Sequence, residues 1–390
     1  MTSPDARHFV LREDIVMLNH GSFGACPRVI LERHEAMLRE WESDPIGVFD
    51  RLEARLDAAR NEVAALVGAD PAGFVFVRNA TMGVNAVLQS FPLRAGDAVL
   101  TTDHAYQACK NALDHWAGRA GARIIVARVP FPLASPDEVT DAIDRAWTKD
   151  VRLALVDHIT SPTGLVFPIA DIVRLLEGRG TAVIVDGAHA PGMVPLAVRE
   201  LGASYYTGNF HKWMCAPKGA AMLWAREDRR AGLHPTCISH GLTARTSRGA
   251  LHDEFDWTGT DDFAPWLLVG ASAATMAAMA GSLEALRESN RALALEARRI
   301  LTTKLGIAPP APESMIGTLV ALPLGERTDA GGGRDPLYEA LFARGFRVPV
   351  FPWPTPRSRV LRVSAQRYND ASQYEALADA ILALRAAGQV

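Results

Sequence analysis

Ser204-Tyr205-Tyr206-Thr207-Gly208-Asn209-Phe210-His211-Lys212-Trp213 sets a single lysine among four aromatic side chains and a histidine. An ammonium in such company is partly desolvated, and desolvation lowers a lysine pKa towards the neutral, nucleophilic amine. A neutral amine can form a Schiff base with an aldehyde cofactor. A lysine half-buried for structural reasons satisfies the same ten residues, so the flanking chain has to decide between the two.

Outward from this stretch, short apolar runs recur at 74–77, 98–101, 124–129, 152–156, 182–185, 203–207 and 220–224. They read as buried strands, and helical spacing separates most of them. Helices are predicted over 28–41 and 51–67 ahead of the first strand. Another starts near Thr81, and Ser135-Pro136-Asp137-Glu138 spells a capping box. Strands and helices alternate at roughly thirty residues per unit, the pattern of a mainly parallel sheet covered on both faces. Thr81, His104, Ser161, Asp186, His189 and Lys212 each follow directly on a strand. Ligands of open α/β sheets bind beyond the carboxyl ends of the strands, so these polar residues point to one site. Where Arg78-Asn79-Ala80-Thr81 leads from strand into helix, free backbone N–H groups make an anion cradle; Thr81 as a plain helix cap is the competing reading.

The pattern changes near Trp257-Thr258-Gly259-Thr260-Asp261-Asp262. An alanine-rich helical region is expected over 264–305, followed by strands at 315–322, 346–350 and 359–364, a glycine-rich loop at 328–335 and a last helix at 374–387. This gives a large domain of residues 20–262 and a small α/β domain of 263–390 joined by the N-terminal segment 1–19.

Composition narrows the class of function. Of 390 residues 48% are hydrophobic and 22% charged, and the net charge of −3 gives no electrostatic reason to expect nucleic acid or an anionic membrane as partner. Cys26, Cys109, Cys215 and Cys237 form no CxxC pair, so no metal site is expected. The polar stretch 1–14 has no signal-peptide core and no apolar run has membrane-spanning length, which makes the cytoplasm the expected location.

Taken together, these motifs resemble the class V aminotransferase-fold enzymes that use pyridoxal 5′-phosphate (PLP), and within them the isopenicillin N epimerase-like group, which also holds C–S lyases. The resemblance runs from Leu18-Asn19-His20-Gly21-Ser22 to Arg362-Val363-Ser364-Ala365-Gln366. It implies the PLP-dependent transferase fold (fold type I) and a homodimer with shared active sites. It also implies that Lys212 carries the cofactor as a Schiff base and that Asp186 pairs with the pyridine nitrogen. His104 matches the position whose ring stacks on the cofactor, with Tyr106 as the alternative two residues on. Ala80, Thr81, Asn209 and His211 match phosphate-binding positions, and Thr260 a threonine that reaches the phosphate of the neighbouring subunit. Ser161 and His189 stand where relatives carry an asparagine and a glutamine near the cofactor, and either can still hydrogen-bond a phenolate oxygen. Arg362 matches the arginine that grips the substrate α-carboxylate. Cysteine desulfurases carry a nucleophilic cysteine between positions matching Gly345 and Arg362, and this chain has none there. The reaction implied is α-proton removal and return on an amino-acid substrate, with β-elimination by a C–S lyase as the alternative and a non-catalytic binding protein of the same fold as the third reading.

Overall fold

The computed structural model describes residues 3–244, 246–327 and 333–389. Most of the glycine-rich loop expected at 328–335 lies outside them; its last residue, Asp335, caps the helix Pro336–Ala343 through the Leu337 N–H.

Among the described residues twelve strands form three sheets. A two-stranded pair joins β1 (Val16–Met17) in parallel to β10 (Phe346–Arg347). The large sheet contains β2 (Phe74–Val77), β3 (Ala98–Thr102), β4 (Arg123–Ala127), β5 (Val151–Asp157), β6 (Ala182–Gly187), β7 (Tyr205–Asn209) and β8 (Ala221–Ala225), in the order β2-β8-β7-β6-β5-β3-β4. β8 pairs antiparallel with β2 and β7 and the other pairings are parallel among the described residues, so six strands point one way and one the other. The third sheet is antiparallel, β11 (Val350–Pro352), β12 (Ser358–Ser364) and β9 (Leu319–Glu326) in that order.

The apolar runs lack a period of two because helices cover both faces of the large sheet. Phe74 and Phe76 face one apolar core and Val75 and Val77 another, all of them buried. The region expected as one helix over 264–305 is three, Ala264–Leu267, Val269–Ala280 and Leu283–Leu305. Gly281, at φ +96°, breaks the chain between the second and third, where an L side chain would be strained. Trp266, Val269 and Ala273 pack with the core of the large sheet, whereas Ala294 to Leu305 pack with the third sheet. The capping box forms by half: Glu138 accepts from the Ser135 N–H at 3.2 Å, while the helix Asp137–Ala146 has no side-chain cap. Among the described residues no single helix is long and apolar enough to cross a membrane.

One close approach ties the N-terminal segment to the lysine loop. Gly24 sits at φ +70°, and a Cβ there would fall 1.9 Å from the His211 carbonyl oxygen. Only glycine lets the two backbones touch.

Candidate active site

The strand order places the site. Asp157 ends β5 and Asp186 lies near the end of β6, its neighbour, and the two are register partners, so both carboxyls project on the same face. Lys212 follows β7 on one flank of this pair and Tyr106 follows β3 on the other. All four line one cavity of about 650 Å³ beyond the carboxyl ends of the strands.

Lys212 meets no carboxylate at hydrogen-bond distance; its Nζ lies 3.2 Å from His189 Nε2. Desolvation, with Arg362 adding positive charge nearby, brings the Lys212 pKa down to about 7. Burial holds His189 well below the usual histidine range. Its Nδ1 accepts from the indole N–H of Trp213 at 3.4 Å, which leaves the ring proton on Nε2 to face a neutral Lys212 amine. The lysine backbone is pinned from behind: His20 Nε2 donates to the Lys212 carbonyl at 2.9 Å, and His20 Nδ1 accepts from the Tyr368 hydroxyl at 2.9 Å.

Asp186 is buried, with Oδ1 accepting from the Ala188 N–H at 2.9 Å and Oδ2 from the Cys109 thiol at 3.2 Å. Ala80 and Thr81 open the helix Ala80–Ser90, whose first N–H groups have no carbonyl partners within the helix. The cap is Asn79, through the Met82 N–H at 2.9 Å, rather than Thr81. Asn209 Oδ1 accepts from the Ala80 N–H at 2.8 Å, which fixes the helix start against the end of β7. His211 donates from Nδ1 to the Ala220 carbonyl at 3.0 Å, and burial lowers its pKa to about 4. Its Nε2 is thus an acceptor near neutrality.

Across the cavity, Arg362 on β12 is 2% exposed and has no acidic partner among the described residues. Its fork donates to the Ser161 carbonyl and, at 3.3 Å, to Asn19 Oδ1 and Ser22 Oγ, all uncharged, and it lies 4.9 Å above the Phe351 ring. Its Nε is buried without a partner. A buried guanidinium left uncompensated is costly unless an anion joins it.

Ala80, Thr81, Tyr106, Ser161, Asp186, His189, Asn209, His211, Lys212 and Arg362 therefore share one cavity. Two expected residues do not. His104 is fully buried outside it, its ring 4.5 Å from that of Trp353 and its nitrogens bonded to Thr163 Oγ1 and the Val129 carbonyl. His104, expected to stack on the cofactor, therefore does not line the cavity, whereas Tyr106, the alternative, is 45% exposed on its wall. The turn at Asp103 rotates His104 inward, three residues before the helix Gln107–Ala120 begins. Thr260 is exposed and borders a separate groove with Met37, Trp41 and Phe263.

Asp157, Asn19, Ser22, Cys109 and His20 were not singled out from the sequence. Asp157 carried a readable signal, an acid ending a strand one sheet position from Asp186. Cys109 and His20 act from behind the cavity and gave none.

The residues present fit PLP. Arg362 without an acidic partner among the described residues, the helix start at Thr81 and the depressed Lys212 supply places for a carboxylate, a phosphate and a carbonyl, and Asp186 lines the same space for a ring nitrogen.

Comparison with known proteins gives the same picture. The family model described as aminotransferase class-V matches residues 25–316. Isopenicillin N epimerase of Streptomyces clavuligerus is 33% identical, over 96% of this chain and 96% of its own length. The probable L-cysteine desulfhydrase of Arabidopsis thaliana is 30% identical, over 94% and 82%. Among solved structures, a lysine-to-alanine mutant of C-DES with glycine covalently linked to the PLP cofactor superposes with a TM-score of 0.82 at 19% identity, over 97% of this chain and 98% of that one.

Proposed function

The chain belongs to the aminotransferase class-V family, a PLP-dependent enzyme in its isopenicillin N epimerase-like group, and from that premise we propose that it removes and returns the α-proton of an amino-acid substrate, inverting that carbon. The observation that carries the reading is a neutral-tending Lys212 amine in one cavity with a buried Arg362 that has no acidic partner among the described residues. Epimerisation takes precedence because the relative of that name matches over nearly the whole of both chains.

In this mechanism the Arg362 fork takes the substrate carboxylate bidentately and fixes the α-carbon. Lys212 Nζ takes the α-proton from one face once its lone pair turns from the His189 Nε2–H to the substrate, and inversion needs a proton returned to the opposite face. When bound, the cofactor supplies the electron sink that makes this proton acidic. Asp186 would hold the proton of the ring nitrogen. The first turn of Ala80–Ser90, with the Asn209 amide N–H, would hold the phosphate, and His211 Nε2 would accept from a protonated phosphate oxygen. Tyr106 would cover the ring, and Ser161 would serve its hydroxyl edge with the His189 Nε2–H once Lys212 turns away from it.

β-Elimination from a cysteine-derived substrate is the second reading, favoured by the resemblance to the Arabidopsis desulfhydrase and to C-DES. It uses the same residues. Incubating the purified enzyme with amino acids and cysteine conjugates in D2O separates the two. Deuterium at the α-carbon with inversion and no pyruvate is the expected result; pyruvate release without inversion overturns the first reading in favour of the second.

The proposed working unit is a homodimer in which Thr260 of one copy completes the phosphate site of the other, since Thr260 lies outside the cavity of its own chain. Mixed dimers of Lys212→Ala and Thr260→Ala chains then contain one site free of both substitutions. Recovery of activity on mixing is expected, and exchange of subunits without recovery, with Thr260→Ala itself impaired, removes Thr260 from the site.

A further inference from the structure

The mechanism above uses one of two acids on the cavity floor. Asp157 is 3% exposed, lines the same cavity and ends the strand next to that of Asp186, in register with it. Carboxyls paired this way across adjacent strands repel when both are ionised, and buried ones resist being so.

Their surroundings split the pair. Asp186 already accepts from the Ala188 N–H on Oδ1 and from the Cys109 thiol on Oδ2. Asp157 has no ion pair among the described residues. The groups that bear on it are Asp186 on β6, Lys110 and Cys109 on the helix Gln107–Ala120, the Tyr106 backbone N–H at the start of that helix, and Lys212 beyond β7. Of these only Lys110 and Lys212 carry positive charge, and Lys212 is neutral-tending. Burial first, then Asp186, pushes the Asp157 carboxyl well above the usual carboxylate range.

We propose that Asp157 and Asp186 act as one carboxyl pair with a single proton, Asp157 being the positioning residue that bears it and donates its O–H to Asp186. With its O–H on one side, the thiol on another and the Ala188 N–H on the third, the Asp186 anion is held so that its remaining lone pair faces the ring-nitrogen position. A second full negative charge on the floor would instead draw a proton from elsewhere in the site. Paired carboxyls driven apart in this way have one acid and one base. The role applies to epimerisation and to β-elimination alike, since both need the ring nitrogen fixed.

Infrared difference spectroscopy on the holoenzyme at about neutral pH, wild type against Asp157→Asn, reads the proton directly, without turnover. A protonated-carboxyl C=O stretch, shifted in D2O and missing from the variant, is expected; its absence from the wild type overturns the pair. Should Asp157→Asn not fold, Asp157→Glu keeps an ionisable group and must shift the band, and an unmoved band overturns the assignment. Cofactor affinity is the second readout. Asp157→Asn keeps an N–H donor and should bind PLP within about threefold of wild type, whereas Asp157→Leu should weaken binding by about tenfold, the loss of one hydrogen bond to a charged acceptor. Equal affinity in wild type and Asp157→Leu rules out the positioning role.

Discussion

The two walls of the cavity follow opposite rules. On the wall built by the large sheet, almost every polar group already has a partner: Asp186 has Ala188 and Cys109, His189 has Trp213 and Lys212, Asn209 has Ala80. On the wall built by β12 and the N-terminal segment, Arg362 touches only neutral oxygens and leaves Nε with none. A partnered wall is rigid before anything binds, which suits a cofactor that must be held in one orientation through the reaction. An uncompensated guanidinium is a standing demand for an anion, which suits a substrate that comes and goes.

The contrast breaks most sharply at Lys212. Lys212→Ala should leave the fold intact by circular dichroism and reduce turnover by about four orders of magnitude or more, because it removes both the cofactor-bearing amine and the proton carrier. A variant that keeps wild-type turnover would falsify the partnered-wall account outright.

The same lysine offers a pH readout that needs no cofactor. An ordinary lysine, with a pKa of 10.5, is almost wholly protonated at neutrality, whereas Lys212, brought down to about 7, is half neutral there. The neutral form rises with pH, so in the cofactor-free chain labelling of Lys212 by formaldehyde and borohydride should climb through about pH 7 and level off above it. A midpoint near that of surface lysines would mean that the amine is solvated in the working protein.

The unpartnered wall is tested at Arg362. In Arg362→Lys the charge remains but the planar fork is lost, so one of two bonds to the carboxylate goes. We expect KM to rise by about tenfold, with a smaller fall in kcat, an energy of about 1.4 kcal/mol by the usual conversion. A large fall in kcat with KM unchanged would instead move Arg362 from substrate binding to the chemistry.

This division was only half legible in the sequence. The large-sheet wall announced itself, because each polar residue there follows a strand, and strands with both faces covered are continuous apolar runs such as Val183-Ile184-Val185. His104 shows the limit of that rule. A residue two positions past a strand end points into the cavity or away from it according to how the turn winds, and the sequence distance is the same for both. The other wall assembles from Asn19, Ser22 and Arg362, more than 300 residues apart, and the bonds that join them depend on the β1–β10 pairing. Neither Val16-Met17 nor Phe346-Arg347 is long enough to signal that pairing by periodicity. Asp157 was visible as a strand-end acid, but its weight comes from lying beside Asp186, which is a fact of strand order.

The smallest effect should come from the joint between the walls. His20 is fully buried beside the lysine loop. Its backbone N–H donates to Ser364 Oγ on β12 at 2.7 Å, while its ring spans Tyr368 and the Lys212 carbonyl. A carbonyl only accepts, so Nε2 carries the proton and Nδ1 depends on the Tyr368 hydroxyl for its one donor. Tyr368→Phe removes that hydroxyl and little volume, leaving a buried ring nitrogen unpaired. Loss of about 1 to 2 kcal/mol in unfolding free energy is expected, measured from the urea midpoint at constant slope. Moving the proton to Nδ1 brings no relief, since that N–H would find no acceptor in place of the hydroxyl and Nε2 would turn a lone pair towards the Lys212 carbonyl. The cost should therefore be paired with a modest rise in the dissociation rate of PLP, and with KM for substrate almost unchanged, because Arg362 keeps its own contacts to Asn19 and Ser22. Stability loss with cofactor release unaltered would show that the joint braces the fold alone and does not steady the lysine.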